Sequence, residues 1–112
     1  MDSAYCPHFH WAVELIGRRW SGAIMIVLSG GAQRFGEIRA AIPGLSDRLL
    51  VERLRELEAE GVVVRAERPH AGGAPLVTYA LTAEGLELVP VLEAIGEWAH
   101  RRMTRSQRSA RV

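Results

Sequence analysis

The chain has 112 residues, 48% hydrophobic and 24% charged, as expected of one soluble globular domain that buries its own core. The longest nearly apolar run, Ala23–Leu28, is far too short for a bilayer, and MDSAYCPHFH has no basic n-region, so the reading is cytoplasmic, without a membrane partner. One cysteine, Cys6, excludes an intrachain disulfide, and a formal net charge of +1, with arginine as the only basic residue besides four histidines, leaves any nucleic-acid binding to local charge placement.

Cys6-Pro7 opens the first element, because Pro7 suits a first helical position whose N–H would be unpaired anyway. Phe9, Val13 and Ile16 recur at helical spacing up to Gly17. Trp20–Leu28 is apolar on most sides and reads as a central helix, stopped by Ser29-Gly30-Gly31. Phe35–Ile42 is a short third helix, and Pro43-Gly44 is a turn. Ser46 is an N-cap with Asp47 in the first turn, and the fourth helix runs to Glu60 with Gly61 in the C′ position.

Val62–Val64 reads as a short strand, Arg65–Ala74 as a loop and Leu76–Leu81 as a second strand. Thr82 is an N-cap candidate, and Leu86–Met103 reads as a long last helix with Pro90 inside it. Arg101, Arg102, Arg105, Arg108 and Arg111 then come without an acid, which leaves nine arginines against 13 acids elsewhere, a balance of −4. Residues 1–103 read as one domain and 104–112 as a basic, flexible tail. The predicted fold class is mainly α with a small β-hairpin. A helix-turn-helix followed by a two-stranded hairpin is the winged helix-turn-helix arrangement, with the hairpin loop as the wing.

The fourth helix divides cleanly. At about 100° per residue, Leu50, Leu54 and Leu57 fall on one side, with Arg48, Glu52 and Arg55 nearly opposite and Val51 on their flank. A recognition helix needs this division. Leucines hold it to the domain, while arginine can pair bidentately with guanine and glutamate can accept from cytosine. The other reading is a solvated face laced with ion pairs such as Arg48–Glu52. Arg34 and Ser46 stand at helix starts, where backbone N–H groups also favour phosphate. Arg65, Arg68 and His70 flank or occupy the wing and are candidates for minor-groove or phosphate contact, against an ordinary polar hairpin.

Cys6 at the start of the first helix would have its thiolate stabilised by the helix dipole, which makes it a redox-sensing candidate; the alternative is an unreactive small residue. His8 and His10 point to different sides of a helix, so no metal site is expected. Tyr5, Phe9, His10, Trp11 and Trp20 crowd the N-terminal region, as an effector pocket or as packing in a dimer seam. Leu88, Leu92, Ile95 and Ala99, with Trp98 close by, form an apolar stripe too large for so small a domain to bury alone. Together with Phe9 and Val13 they suit a self-complementary dimer interface. Nothing in the chain has the pattern of a nucleophile–base set, a phosphate loop or a metal motif, so neither an enzyme nor a cofactor is expected.

The segments LIGRRW, RFGEI, IPGLSDRLLVERLRELEAEGVVVR, VTYALTAEG and PVLEAIGEW, with Cys6-Pro7, stand in one order. From Cys6 to Trp98 the chain resembles the HxlR-type bacterial transcription regulators, relatives of the MarR group. The resemblance implies a winged-helix homodimer that binds an inverted repeat in double-stranded DNA as a repressor or activator. It also implies dimerisation through the first and last helices, and an N-terminal cysteine that in several members senses electrophiles or oxidants. Val51 replaces a residue that is usually serine, Leu76 stands where a basic wing residue is common, and GRRW replaces the usual GGKW, so operator preference does not carry over. The competing reading is a winged-helix module for protein–protein contact with DNA binding weak or lost, which the −4 balance favours slightly.

Overall fold

A computed structural model describes residues 6–111, with side chains as far as Arg108. Its elements are α1 (Pro7–Gly17), α2 (Ser21–Ser29), α3 (Phe35–Ala41), α4 (Asp47–Ala59), β1 (Val63–Arg68), β2 (Leu76–Leu81) and α5 (Ala83–Arg111). The mainly helical class with one antiparallel hairpin, order β1-β2, is the one read from the sequence.

The core lies where α2 meets α3, α4 and α5. Ile24, Met25 and Leu28 of α2 are buried against Ile38, Leu45, Leu50, Leu54 and Leu57. That explains why α2 is apolar nearly all round: it is enclosed on several sides. Its first residue follows Trp20, which holds a left-handed backbone (φ 80°) rare for a bulky side chain. The Arg19 guanidinium stacks 4.9 Å from the centre of the Trp20 rings.

Helix α4 has the start and stop its sequence encodes. Ser46 Oγ accepts from the Leu49 N–H at 3.2 Å. At the other end Gly61 is left-handed (φ +77°), and the N–H groups of Gly61 and Val62 reach the carbonyls of Glu58 (3.0 Å) and Leu57 (3.1 Å). These two bonds form a Schellman motif, closed by buried Val62 beside buried Leu57.

Two elements are longer than the sequence reading. β1 continues to Arg68, each of its residues from Val63 paired with β2 from Leu81 back to Leu76. Beyond buried Val63 its residues are exposed, so no apolar alternation marks the strand; the pairing with β2 makes it. α5 begins at Ala83, directly after Thr82, and runs 29 residues to Arg111. It takes in the segment set apart as a basic tail. No glycine or proline stops it after Pro90 and Gly96, and arginines near its end oppose the helix dipole.

The expected apolar stripe on α5 splits in two. Leu92 is 7% exposed and belongs to the core, with half-buried Leu88 packed beside it. Ala99 is half-buried, while Ile95 and Trp98 face outward with Val91. Leu88 and Leu92 therefore serve the fold of the protomer, because that face of α5 lies on α2; the Leu92 side chain comes within 3.6 Å of the position a Cβ on Gly22 would take.

Candidate nucleic-acid interface

Leu50, Leu54 and Leu57 are at most 1% exposed, so α4 is anchored by the face its periodicity marked. Arg48, Glu52 and Arg55 are exposed on the other side and Val51 is half-buried. The solvated-face reading offered Arg48–Glu52 as one example of its ion pairs. Among the described residues the ion pairs are His10–Glu14, Arg18–Glu56, Arg39–Asp47, Arg53–Glu56 and Arg65–Glu67. Arg48, Glu52 and Arg55 are in none of them.

The back of α4 is tied down by residues that periodicity left unassigned. Glu56 accepts from Arg18 at 2.8 Å and from Arg53 at 3.2 Å, and Arg53 Nε donates to the Arg19 carbonyl at 2.9 Å. These bonds join α4 to the α1–α2 link. Arg39 of α3 pairs with Asp47 and spans the turn between the two helices. The Arg48, Glu52 and Arg55 face is thus presented by a helix held at its back and at its start.

Arg34 is exposed at the start of α3, but its own amide and that of Gln33 are occupied. The Glu37 carboxylate accepts from the N–H groups of Gln33 (3.0 Å) and Arg34 (2.9 Å). The Gln33 bond first, then that of Arg34, holds the Glu37 carboxyl below its ordinary value of 4.5. Arg34 therefore offers its guanidinium rather than its backbone. Ser46 is exposed; its hydroxyl oxygen caps α4 and its proton remains available to donate.

In the wing, Arg65 is bonded to Glu67 at 2.9 Å. Glu67 first, then the cross-strand neighbour Tyr79, raises the Arg65 guanidinium above its usual range. Arg68 is exposed at the end of β1, opposite Leu76, and among the described residues it is in no ion pair. His70 Nδ1 accepts from the Gly72 N–H at 3.3 Å and so shapes the wing loop. The wing is fixed to the helix-turn-helix by the Tyr79 N–H, which donates to the Gln33 carbonyl at 2.8 Å.

Cys6 is the N-cap residue of α1 and a half-buried free thiol; its side chain makes no capping bond. Phe9, Trp11 and Val13 of α1 are exposed. The aromatic cluster does not converge: Trp11 lines a cleft of about 260 Å³ with Glu14, Arg18, Ser21 and Glu56, while Phe9, His10 and Trp20 do not line it. Tyr5 lies outside the described residues. Among the described residues no three potential ligands gather into a metal site, and no helix is long and apolar enough to cross a membrane.

A capped helix with an unpaired Arg/Glu face, set behind a short helix and before a hairpin wing, defines a winged helix-turn-helix protein. Residues 15–107 match the model of the HxlR-like helix-turn-helix family. The chain belongs to that family and is a transcriptional regulator of the HxlR type. It is 47% identical over 99 residues to the uncharacterized HTH-type transcriptional regulator YvaP of Bacillus subtilis, across 88% of this chain and 89% of that one. The reduced form of the transcriptional regulator YodB from B. subtilis superposes with a TM-score of 0.76 at 40% identity, across 85% of this chain and 91% of that one. YodB has also been solved diamide-treated and quinone-bound. The redox regulator HypR in its oxidized form superposes with a TM-score of 0.77 at 34% identity, across 86% of this chain and 96% of that one.

Proposed function

We propose that the protein regulates transcription as a homodimer on an inverted-repeat operator. Helix α4 enters the major groove, and Arg48, Val51, Glu52 and Arg55 meet base edges. Arg34 and Ser46 hold phosphates. Arg68, with Arg65 and His70 beside it, brings the wing to the backbone or minor groove. The observation that carries this reading is that Arg48, Glu52 and Arg55 are exposed and, among the described residues, in no ion pair, while Arg53 and Glu56 on the same helix are bonded back to the domain. A module kept only for protein contact has no need of that division.

The test is DNA binding by the full chain to fragments of its own genome, over a series of salt concentrations. Affinity for a protected site should fall steeply as salt rises, because neutralised phosphates release counterions. The footprint should cover two half-sites about one helical turn apart. No protection on any fragment, or affinity independent of salt, would refute the reading. Cys6 is the proposed sensor of oxidants or electrophiles. Its place at the start of α1, and the diamide-treated and quinone-bound forms of YodB, support that assignment.

A further inference from the structure

Two clefts meet at Trp11, and acids dominate both. The first, about 260 Å³, lies between α1 and the end of α4, where Glu14, Glu56 and Glu60 line it with Arg18 as its one base. The second, about 330 Å³, opens toward the start of α5 and adds Glu84 and Glu87. Trp11, Leu15 and Glu60 line both. Arg18 is committed to Glu56 at 2.8 Å, and Glu14 has His10 beside it. Glu60, Glu84 and Glu87 are exposed and, among the described residues, in no ion pair.

Acids alone would make only a solvated surface, but two further features point to a ligand. Ser21 lines the first cleft and is 2% exposed, and its hydroxyl has no hydrogen-bond partner among the described residues; only its N–H is bonded, to the Arg18 carbonyl at 3.1 Å. Among those residues no fully enclosed side-chain oxygen or nitrogen lacks a partner, so the exposed sliver of Ser21 is its hydroxyl, reached through the cleft. It is a donor and an acceptor with nothing in the protein to bond. The other feature is the end of α4. Its last turn has no base and Glu60 is its C-cap residue, so carboxylates stand where the helix dipole already favours a cation.

We propose that this site binds a small organic cation, a protonated amine carried on an apolar body. The ammonium lies against the exposed Trp11 indole beside Glu60, as cations do on tryptophan faces, and a primary amine also donates to Ser21 Oγ. The apolar body rests on Leu15 and Leu57. An anion would meet the carboxylates, and a neutral body would leave them without a counter-charge. An inorganic cation does not suit the site, since among the described residues no three potential ligands gather to hold one. At about 100° per residue, Phe9 and Val13 lie at least roughly 140° around α1 from Trp11 and Arg18, so a dimer seam on Phe9 and Val13 leaves the site open. Arg18 and Glu56 line the first cleft and also form part of the anchor of α4. A bound ammonium competes with Arg18 for Glu56, which couples occupancy to α4. That coupling rests on the proposed function; binding of the amine does not.

The test is equilibrium dialysis of the full chain against three aryl probes of similar size and different charge: phenethylamine, phenethyl alcohol and phenylacetate. The amine should bind roughly tenfold or more tighter than the other two. Glu60→Gln and Trp11→Leu should each weaken the amine roughly threefold or more, while Glu58→Gln, on the same helix but outside both clefts, should not. Ser21→Ala should weaken the primary amine but not its quaternary trimethyl analogue, which has no N–H to donate. Equal binding of the three probes, no binding at millimolar concentration, or an amine affinity that survives both Glu60→Gln and Trp11→Leu would overturn the site. Saturating amine should also weaken DNA binding about fivefold or more. An amine that binds without changing DNA affinity would overturn the coupling through Arg18 and leave the site standing. A chain that binds the amine but no DNA would overturn the proposed function instead.

Discussion

Gly85→Ala should destabilise the fold, and Gly96→Ala, in the same helix, should not. A Cβ built on Gly85 lies 2.2 Å from the Val62 carbonyl oxygen and 3.2 Å from both Val62 C and the Leu81 side chain. The obstacle is backbone, and it cannot rotate away. It is also pinned: the Thr82 N–H donates to Val62 O at 3.0 Å, and Thr82 Oγ1 donates to Gly61 O at 2.6 Å. Alanine would force the first turn of α5 away from the end of α4 and stretch those bonds. Overpacking of this kind costs about 1–3 kcal/mol, and a weakened hydrogen bond about 1 more, while alanine recovers about 1 in helix propensity. The expected net loss is about 2 kcal/mol. At Gly96 a Cβ would meet nothing within 4 Å beyond its own stretch of helix backbone, so alanine should be neutral or stabilise by up to about 1 kcal/mol. Urea denaturation of both variants, at one fixed protein concentration, should separate them by about 2–3 kcal/mol. A Gly85→Ala protein that unfolds at the wild-type urea concentration would refute the close-contact argument. Equal damage at Gly96 would assign the effect to helix composition instead.

Arg48→Ala and Arg55→Ala should each weaken binding to the cognate site by about 1–3 kcal/mol with little change on unrelated DNA, whereas Arg68→Ala should lower the salt slope by about one; titrations on both DNAs distinguish the roles. Cys6→Ser should bind DNA like the wild type but lose the response to diamide, and a retained response in a footprinting assay would place sensing elsewhere. Glu37→Gln removes a carboxylate held below its ordinary value of 4.5, so its contribution is present above that pH and lost as pH falls through the lowered folded value. The stability gap between wild type and Glu37→Gln should be constant above pH 4.5 and shrink below it. A gap that does not change with pH would refute the capping role.

What was legible in the chain was local. Ser46, Asp47 and Gly61 mark the ends of α4 because a cap, a dipole partner and a left-handed glycine are each written within a turn of where they act. The split of its leucines from Arg48, Glu52 and Arg55 needed only the period of a helix. The wing was harder, since Arg65–Arg68 forms a strand only because β2 lies beside it. Leu92 shows a different limit. Periodicity groups it with Ile95 and Trp98 as apolar, but only the placement of α2 tells which of them the protomer already covers. Arg53 and Glu56 had no part in that division, and their partners Arg18 and Arg19 lie more than thirty residues earlier. Gly85 gives no local sign of its role at all, because the carbonyl it makes room for belongs to Val62.

On the proposed function, the two anchors of α4 would let a surface far from the proposed DNA face govern it. One anchor joins Arg53 and Glu56 to Arg18 and the Arg19 carbonyl, at the end of α1. The other joins the Gly61–Val62 turn, immediately after α4, to Thr82 at the start of α5. These are the first and last helices, the pair assigned to dimerisation, and α1 also carries Cys6 at its start. The hydrogen-bonded path from Cys6 to α4 is a single rigid helix and a two-residue link. A shift of α1 larger than the Arg18 and Arg53 side chains can follow would displace the back of α4 or break its bonds to Glu56 and the Arg19 carbonyl. With two copies the spacing of the paired recognition helices follows from the same contacts, and DNA fixes that spacing at about one helical turn. Small displacements of α1 or α5 would then be read as a mismatch between two half-sites rather than as a local change at Arg48 or Arg55.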